Sequence, residues 1–141
     1  MTRTLGFAIL AAAALSGFAI PASASGWSQC GRHCAQFQGF GGDVRSFEIR
    51  PLKGQPLAIA TVTDAADLPF GLIWQIDGGR QIRVPFMHCG GGSCSDQLVI
   101  NDAYLDSLRQ GSALRLGIHQ GSGWKVSAIR LAGFGPAYDG R

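Results

Sequence analysis

Four cysteines and two histidines, arranged in two short clusters, are the residues of this chain best suited to chemistry. The clusters consist of Cys30, His33 and Cys34, and of His88, Cys89 and Cys94. Closely spaced Cys and His side chains can bind zinc, and paired cysteines can form disulfides or exchange electrons with other thiols. Which chemistry applies depends on the compartment, because disulfides persist in oxidising surroundings and thiolates in reducing ones.

Residues 1–24 have the parts of a secretory signal peptide and therefore indicate an oxidising compartment. Arg3 provides a positive charge, residues 5–20 form an uncharged apolar stretch, and Ala22-Ser23-Ala24 is a small-residue cleavage site. The apolar stretch is shorter than the roughly 20 residues of a membrane-spanning helix. We expect cleavage after the last of these alanines. Residues 25–141 would then be exported, as one domain that does not span the membrane, to the periplasm or the cell surface.

In such a compartment the four cysteines are expected to form disulfides. Four cysteines allow three pairings, and the short sequence separations favour Cys30–Cys34 together with Cys89–Cys94. Each bridge would close a short loop and stabilise the fold by about 2 kcal/mol. Neither spacing is the C-x-x-C of a zinc ribbon or of a thioredoxin-type helix. A periplasmic redox-sensing or metal-binding protein that uses the Cys and His clusters is the alternative interpretation.

Most of the chain after the leader has the two-residue hydrophobic period of β-strands. The Asp77-Gly78-Gly79 turn predicts a hairpin between residues 72–76 and 80–86. A second hairpin is predicted between residues 113–119 and 124–131. The last of these strands changes its hydrophobic phase, which predicts a β-bulge near Ala128. Trp27, Trp74 and Trp124 are interpreted as core or rim residues rather than as ligand platforms, because Trp74 and Trp124 align with apolar rows. Pro85 lacks an N–H group and predicts either an edge strand or a position outside the hydrogen-bonded ladder.

One segment has helical features instead. Asn101 can cap a helix over residues 102–110, Leu105 and Leu108 share one face, and Gly111 follows as a left-handed C-cap. Many short strands with a single short helix indicate an all-β fold, specifically a β-sandwich.

At several places the sequence resembles the invasion-associated locus B family of exported α-proteobacterial proteins. The resembling segments are Leu68-Pro69-Phe70-Gly71-Leu72, Gln75-Ile76-Asp77-Gly78-Gly79, Phe86 through Cys89 with Cys94, the 102–108 helix, and Gly133-Phe134 with Ala137-Tyr138-Asp139. The resemblance implies an immunoglobulin-like β-sandwich and supplies no catalytic residues. The first cysteine pair is more compressed than in the family, and His88 stands where a basic residue is common. The family name refers to a role in host-cell entry.

The residues give little support to an enzyme, a cofactor or a nucleic-acid partner. Ser122 lies in a predicted hairpin turn rather than in the strand–turn–helix setting of a nucleophile elbow, and His119 is expected to be a solvated hairpin residue. Without Arg3 of the leader, the net charge falls from +3 to +2, which is too weak for a nucleic-acid-binding face. We therefore expect a non-enzymatic binding or accessory protein of the cell envelope.

Basic residues of the two predicted hairpins are the candidate binding surface. Arg83 and Arg115 point opposite to their core-facing neighbours, and Arg80, Lys125 and Arg130 lie near them in the hairpins. On one sheet face they would form a basic stripe for an acidic glycan, an anionic lipid, or an acidic envelope or host-surface protein. The alternative is that they are scattered, solvated side chains.

Overall fold

The computed structural model describes residues 26–38, 43–63 and 66–140. The predicted signal peptide and its cleavage site lie outside these residues. The described part contains ten β-strands, a 3-10 turn at Leu68–Phe70 and two α-helices. In chain order these strands and helices are β1 (Trp27–Gly31), β2 (Cys34–Phe37), β3 (Val44–Leu52), β4 (Gln55–Thr63), β5 (Leu72–Ile76), β6 (Ile82–Val84), β7 (Phe86–Gly90), β8 (Ser93–Val99), α1 (Asp102–Gln110), β9 (Ala113–Gln120), β10 (Gly123–Arg130) and α2 (Phe134–Asp139).

The strands form two antiparallel sheets that pack as a sandwich. One sheet has six strands in the order β1-β2-β3-β4-β8-β7, and the other has four in the order β10-β9-β5-β6. The inward rows of both sheets meet in one core, where Phe47 contacts Trp74 edge to face at 5.3 Å between ring centroids. The predicted fold class, an all-β sandwich, is confirmed.

Helix α1 forms where the sequence predicts it. The side chain of Asn101 accepts a 2.8 Å hydrogen bond from the Tyr104 N–H, and Leu105 and Leu108 are buried against the core. Gly111 ends the helix with φ −75°, so the predicted left-handed C-cap is wrong. Glycine is needed there for space, because a Cβ atom would lie 2.7 Å from Cγ2 of Ile76. Helix α2, which packs Phe134 and Tyr138 inward, was not predicted.

Both predicted hairpins are present, with two corrections. In the first, β6 ends at Val84, and Phe86 beyond Pro85 begins β7 in the other sheet. Residues 80–86 are therefore not one strand, because Pro85 cannot donate to the ladder and the chain crosses between sheets there.

The second hairpin, β9–β10, pairs without a register shift, so the predicted bulge near Ala128 is wrong. The apolar residues of β10 switch from even to odd positions because Trp124 and Val126 face outward, whereas Ile129 faces the core. The interpretation of Trp124 as a core or rim residue is also wrong, since its side chain is 38% exposed on the outer face.

Candidate functional site

The outward face of the four-stranded sheet carries a groove with a volume of about 490 Å³. Its lining residues are Ile73, Gln75, Gln81, Arg83, Arg115, Gly117, Trp124 and Val126. We call this feature the outer groove. Its floor lies on β5 and β9, the two central strands of the sheet, and its walls rise from the flanking strands β6 and β10.

Gly117 makes the depression. It lies opposite Val126 on one side and opposite Ile73 on the other, so it interrupts a row of outward apolar side chains. A Cβ atom at this position would lie 3.3 Å from Cβ of Ile73 and 3.6 Å from Cε3 of Trp124. The indole of Trp124 therefore leans across the space that a side chain at Gly117 would occupy.

Two arginines flank this space. Arg83 lies opposite Ile73, and Arg115 lies opposite Gln75. With strands about 4.8 Å apart and a rise of about 3.4 Å per residue, their Cα atoms are about 12 Å apart on the same face. The Arg83 guanidinium lies 5.4 Å from the ring centroid of Trp124, a cation–π contact that orients it.

Neither of these guanidinium groups has a carboxylate within ion-pair distance in the part of the chain that the structure describes. The arginines paired there are Arg50, with Glu48, and Arg109, with Asp106 and Asp139. The outer groove thus presents two positive charges that nothing described neutralises. Such charges favour an anionic ligand, because guanidinium groups form strong, often bidentate hydrogen bonds with carboxylates and phosphates.

An aromatic cluster holds Trp124 in place beside the groove. His119 stacks on Phe70 at 3.7 Å between ring centroids and meets Trp124 edge to face at 5.0 Å. Nδ1 of His119 lies 2.9 Å from a carboxylate oxygen of Asp67, whose backbone N–H donates to the His119 carbonyl. His119 is only 9% exposed, so the expectation that it is a solvated hairpin residue is wrong.

Four residues of the candidate basic surface are divided between different places. Arg83 and Arg115 line the outer groove. Arg80 instead lines depressions beside Tyr104 of helix α1. Lys125 lies opposite the core-facing Ile118, so it projects from the other side of the sheet. A single stripe of all four basic residues does not exist.

Sequence reasoning missed the rest of the groove. Gln75 and Gln81 alternate with core residues and could have been assigned to the outer face by parity alone. Trp124 and Val126 could have been placed there as well, had the phase change been interpreted as a change of hydrophobic face. The role of Gly117 has no local signal, because it depends on which residues lie opposite it on the neighbouring strands.

The two cysteine clusters form the favoured disulfides, Cys30–Cys34 and Cys89–Cys94. The first links the paired strands β1 and β2, and the second joins directly opposed residues of β7 and β8. All four sulfur atoms are used in these bonds, so none is a thiolate in this form. Within residues 26–38, 43–63 and 66–140, no group of three His, Cys, Asp or Glu residues is arranged to hold a metal ion.

A carboxyl group lies inside the core of the described residues. Asp96 on β8 is fully buried and accepts hydrogen bonds from the Ala60 N–H at 3.2 Å and from the Trp74 indole N–H at 3.1 Å. Burial raises its pKa to about 7, and the two hydrogen bonds oppose that rise. Its surroundings are closed to solvent, so it links the sheets rather than forming part of a binding surface. The sequence carried no sign of this role.

No helix in the described part of the chain is both long and apolar enough to cross a bilayer.

Comparisons with known proteins identify relatives. Residues 27–141 match the family model described as Invasion associated locus B (IalB) protein. The crystal structure of invasion associated protein B from Bartonella henselae is similar, with a TM-score of 0.65 and 20% sequence identity. The match covers 80% of this chain and 89% of that one. At this identity the likeness shows a shared fold. A sequence comparison with curated proteins gives no significant match.

Proposed function

The chain belongs to the invasion associated locus B family, and on that premise we propose that it is an exported, non-enzymatic binding protein of the cell envelope. Its ligand is anionic and docks in the outer groove. The observation that carries this proposal is the pair Arg83 and Arg115, two guanidinium groups on one concave face with no described carboxylate partner.

Export is supported by the signal-peptide pattern at residues 1–24 and by the two disulfides. Both features belong to proteins that function beyond the cytoplasmic membrane. The natural partner would then be an anionic molecule of the envelope, or of a host surface that the envelope meets.

The composition of the groove supports binding rather than catalysis. Its eight described lining residues include no carboxylate, histidine, thiol or hydroxyl group. General acid–base and nucleophilic catalysis both need such groups within hydrogen-bond reach of the substrate. Guanidinium and amide groups, together with an exposed indole, can hold and orient a ligand instead.

Binding to simple anionic probes tests the proposal. The probes are an oligouronate, polyglutamate and phosphatidylglycerol vesicles, each titrated calorimetrically at low and at physiological ionic strength. At least one probe should bind, and the double variant R83E/R115E should bind it at least tenfold more weakly, since each charge-assisted hydrogen bond contributes about 1.5–3 kcal/mol.

K125E is the matched control. It reverses one charge on the same sheet but outside the groove, so it is matched to R83E and to R115E, each of which reverses one charge inside the groove. The affinity of K125E should fall much less than that of either single variant or of the double variant. The proposal fails if no anionic probe binds the protein, or if R83E/R115E and K125E bind equally well.

A further inference from the structure

We infer that the outer groove binds a sugar acid within an acidic polysaccharide. The sugar ring lies in the groove against the indole of Trp124, and its carboxylate bonds to the guanidinium of Arg83 or Arg115. This inference rests on the proposed function and narrows it from anions in general to one chemical class.

The position of the groove within the sheet argues against an extended peptide. Its floor strands are both central: β9 pairs with β10 and β5, and β5 pairs with β9 and β6. Their backbone N–H and C=O groups are already used in the ladder. A peptide therefore cannot add as a strand over the floor, which is how sheets most often bind extended peptides. A ligand here must be recognised by side chains alone.

The side chains of the groove match the groups that a sugar acid presents. Gln75 and Gln81 carry amides, which donate and accept hydrogen bonds as hydroxyl groups require. The Gln75 amide is held by a 2.8 Å hydrogen bond from its Nε2 to the Gly79 carbonyl. The guanidinium groups of Arg83 and Arg115 match a carboxylate. Neutral amides beside cations indicate a ligand that has both hydroxyl groups and charge.

Trp124 supplies the flat apolar contact. The indole combines a broad apolar surface with a polar N–H, and the absence of a side chain at Gly117 lets the indole lie close to the floor of the groove. The Phe70–His119 stack fixes the indole in this orientation, so little side-chain entropy is lost on binding.

The concave shape also distinguishes this site from a lipid-docking surface. A bilayer surface is met by protruding side chains, whereas Arg83 and Arg115 both border a depression about 490 Å³ in volume. That volume lies within the range of about 300–1,000 Å³ that is usual for small-ligand sites. The groove is therefore suited to one or a few monomers of a longer anionic chain.

The test uses the disulfide-bonded protein and four probes. These are an oligouronate of galacturonic or glucuronic acid, the same oligomer with its carboxylates methyl-esterified, polyglutamate, and phosphatidylglycerol vesicles. The oligouronate should bind, quench tryptophan fluorescence and shift the amide resonances of Gly117 and Val126. The methyl ester should bind about tenfold or more weakly, as expected for the loss of one charge-assisted hydrogen bond.

Two variants change the apolar part of the site while both arginines remain. G117V displaces the indole from the floor of the groove, and W124A removes the apolar platform. Each should weaken oligouronate binding about tenfold or more while near-UV circular dichroism shows that the fold persists. If G117V proves unfolded, W124A alone decides.

Every other outcome overturns the inference in a recognisable way. The sugar-acid ligand would be refuted if polyglutamate or vesicles bound at least as tightly as the oligouronate. It would also be refuted if W124A and a folded G117V bound the oligouronate with normal affinity. In either case the proposed function would still stand. Failure of all anionic probes to bind, or an R83E/R115E double variant with unchanged affinity, would refute both.

Discussion

The indole N–H of Trp74 donates a 3.1 Å hydrogen bond to the carboxylate of Asp96, and this bond joins the two sheets through the core. Trp74 belongs to β5 of the four-stranded sheet and Asp96 to β8 of the six-stranded sheet. Both residues are fully buried. A buried carboxyl group in such a place makes the stability of the sandwich depend on pH.

The first prediction concerns that pH dependence. Burial raises the pKa of Asp96 from 3.8 to about 7 in the folded protein, so between these values the folded state keeps a proton that the unfolded state has lost. The stabilising contribution is complete below about pH 4 and decreases as pH rises toward 7. It amounts to about 4 kcal/mol of unfolding free energy over that window. Urea denaturation at a series of pH values measures it.

The variant D96N isolates the contribution of this carboxyl group. The amide of Asn does not titrate. Its NH2 group cannot accept a hydrogen bond, and it must face either the Trp74 indole N–H or the Ala60 N–H. One hydrogen bond is therefore lost at every pH, at a cost of about 1–3 kcal/mol. D96N should be less stable than the wild type at pH 4, and the difference should shrink or reverse by pH 8. Parallel stability curves for the two proteins would refute the assignment to Asp96.

The second prediction is that W74F raises the pKa of Asp96 further. The Trp74 hydrogen bond favours the ionised carboxyl. Its loss leaves desolvation opposed by the backbone hydrogen bonds from Ala60 and from Asp96 itself, so the pKa rises. The carboxyl carbon resonance of Asp96, followed by NMR, should titrate at higher pH in W74F than in the wild type.

W27F is the control for this second prediction. The indole of Trp27 also donates a hydrogen bond, but to the backbone carbonyl of Arg130 rather than to Asp96. W27F should reduce stability and leave the titration of Asp96 unchanged. An equal shift of the titration in both variants would mean that looser packing, and not the indole N–H, is responsible.

The third prediction concerns the cysteines. In the unreduced, unfolded protein no thiol should react with a thiol reagent, and four should react after reduction, because all four cysteines are paired. The C89S/C94S double variant should fold and lose about 2 kcal/mol of stability, as expected for a short closed loop. Free thiols accompanied by stoichiometric zinc would instead support the metal-binding interpretation of the clusters.

The fourth prediction compares two glycine-to-alanine changes. Gly111 has an ordinary φ, yet an added Cβ would lie 2.7 Å from Cγ2 of Ile76 and 2.8 Å from the Ser107 carbonyl oxygen. G111A should therefore lower the unfolding free energy by about 1–3 kcal/mol, through overpacking. Gly123 has no heavy atom within 4 Å of its added Cβ, so G123A should leave stability unchanged or slightly higher. Thermal denaturation of both variants distinguishes the two effects.

Much of the fold could be predicted from the sequence, because its signals are local. The side chain of Asn101 accepts a hydrogen bond from a backbone N–H in the first turn of helix α1, and the two cysteine pairs close short loops. Strand alternation identified the β9–β10 hairpin and the pairing of β5 with β6. Errors arose where one local pattern had two tertiary explanations. The phase change around Trp124 was assigned to a bulge, but the apolar residues there change from the outer to the inner face of the sheet. The predicted strand 80–86 is divided at Pro85 between the two sheets.

The candidate site was only half predictable for the same reason. The outward direction of Arg83 and Arg115 follows from the two-residue period, and the structure places both on the outer groove. Arg80 and Lys125 were grouped with them because they are near in the predicted hairpins. In the structure Arg80 lies beside helix α1, and Lys125 projects from the other side of the sheet.

The sequence by itself determined the cysteine spacing, the strand and helix periods, the hairpin turns and the family resemblance, since each depends on residues close together in the chain. Only the tertiary structure decided that Gly117 lies between Ile73 and Val126, that Trp124 leans over the gap, and that Asp96 is buried beneath the opposite sheet. The physical reason is that sheet order and register pair residues far apart in the chain. The shape of a groove and the desolvation of a carboxyl group depend on those distant neighbours.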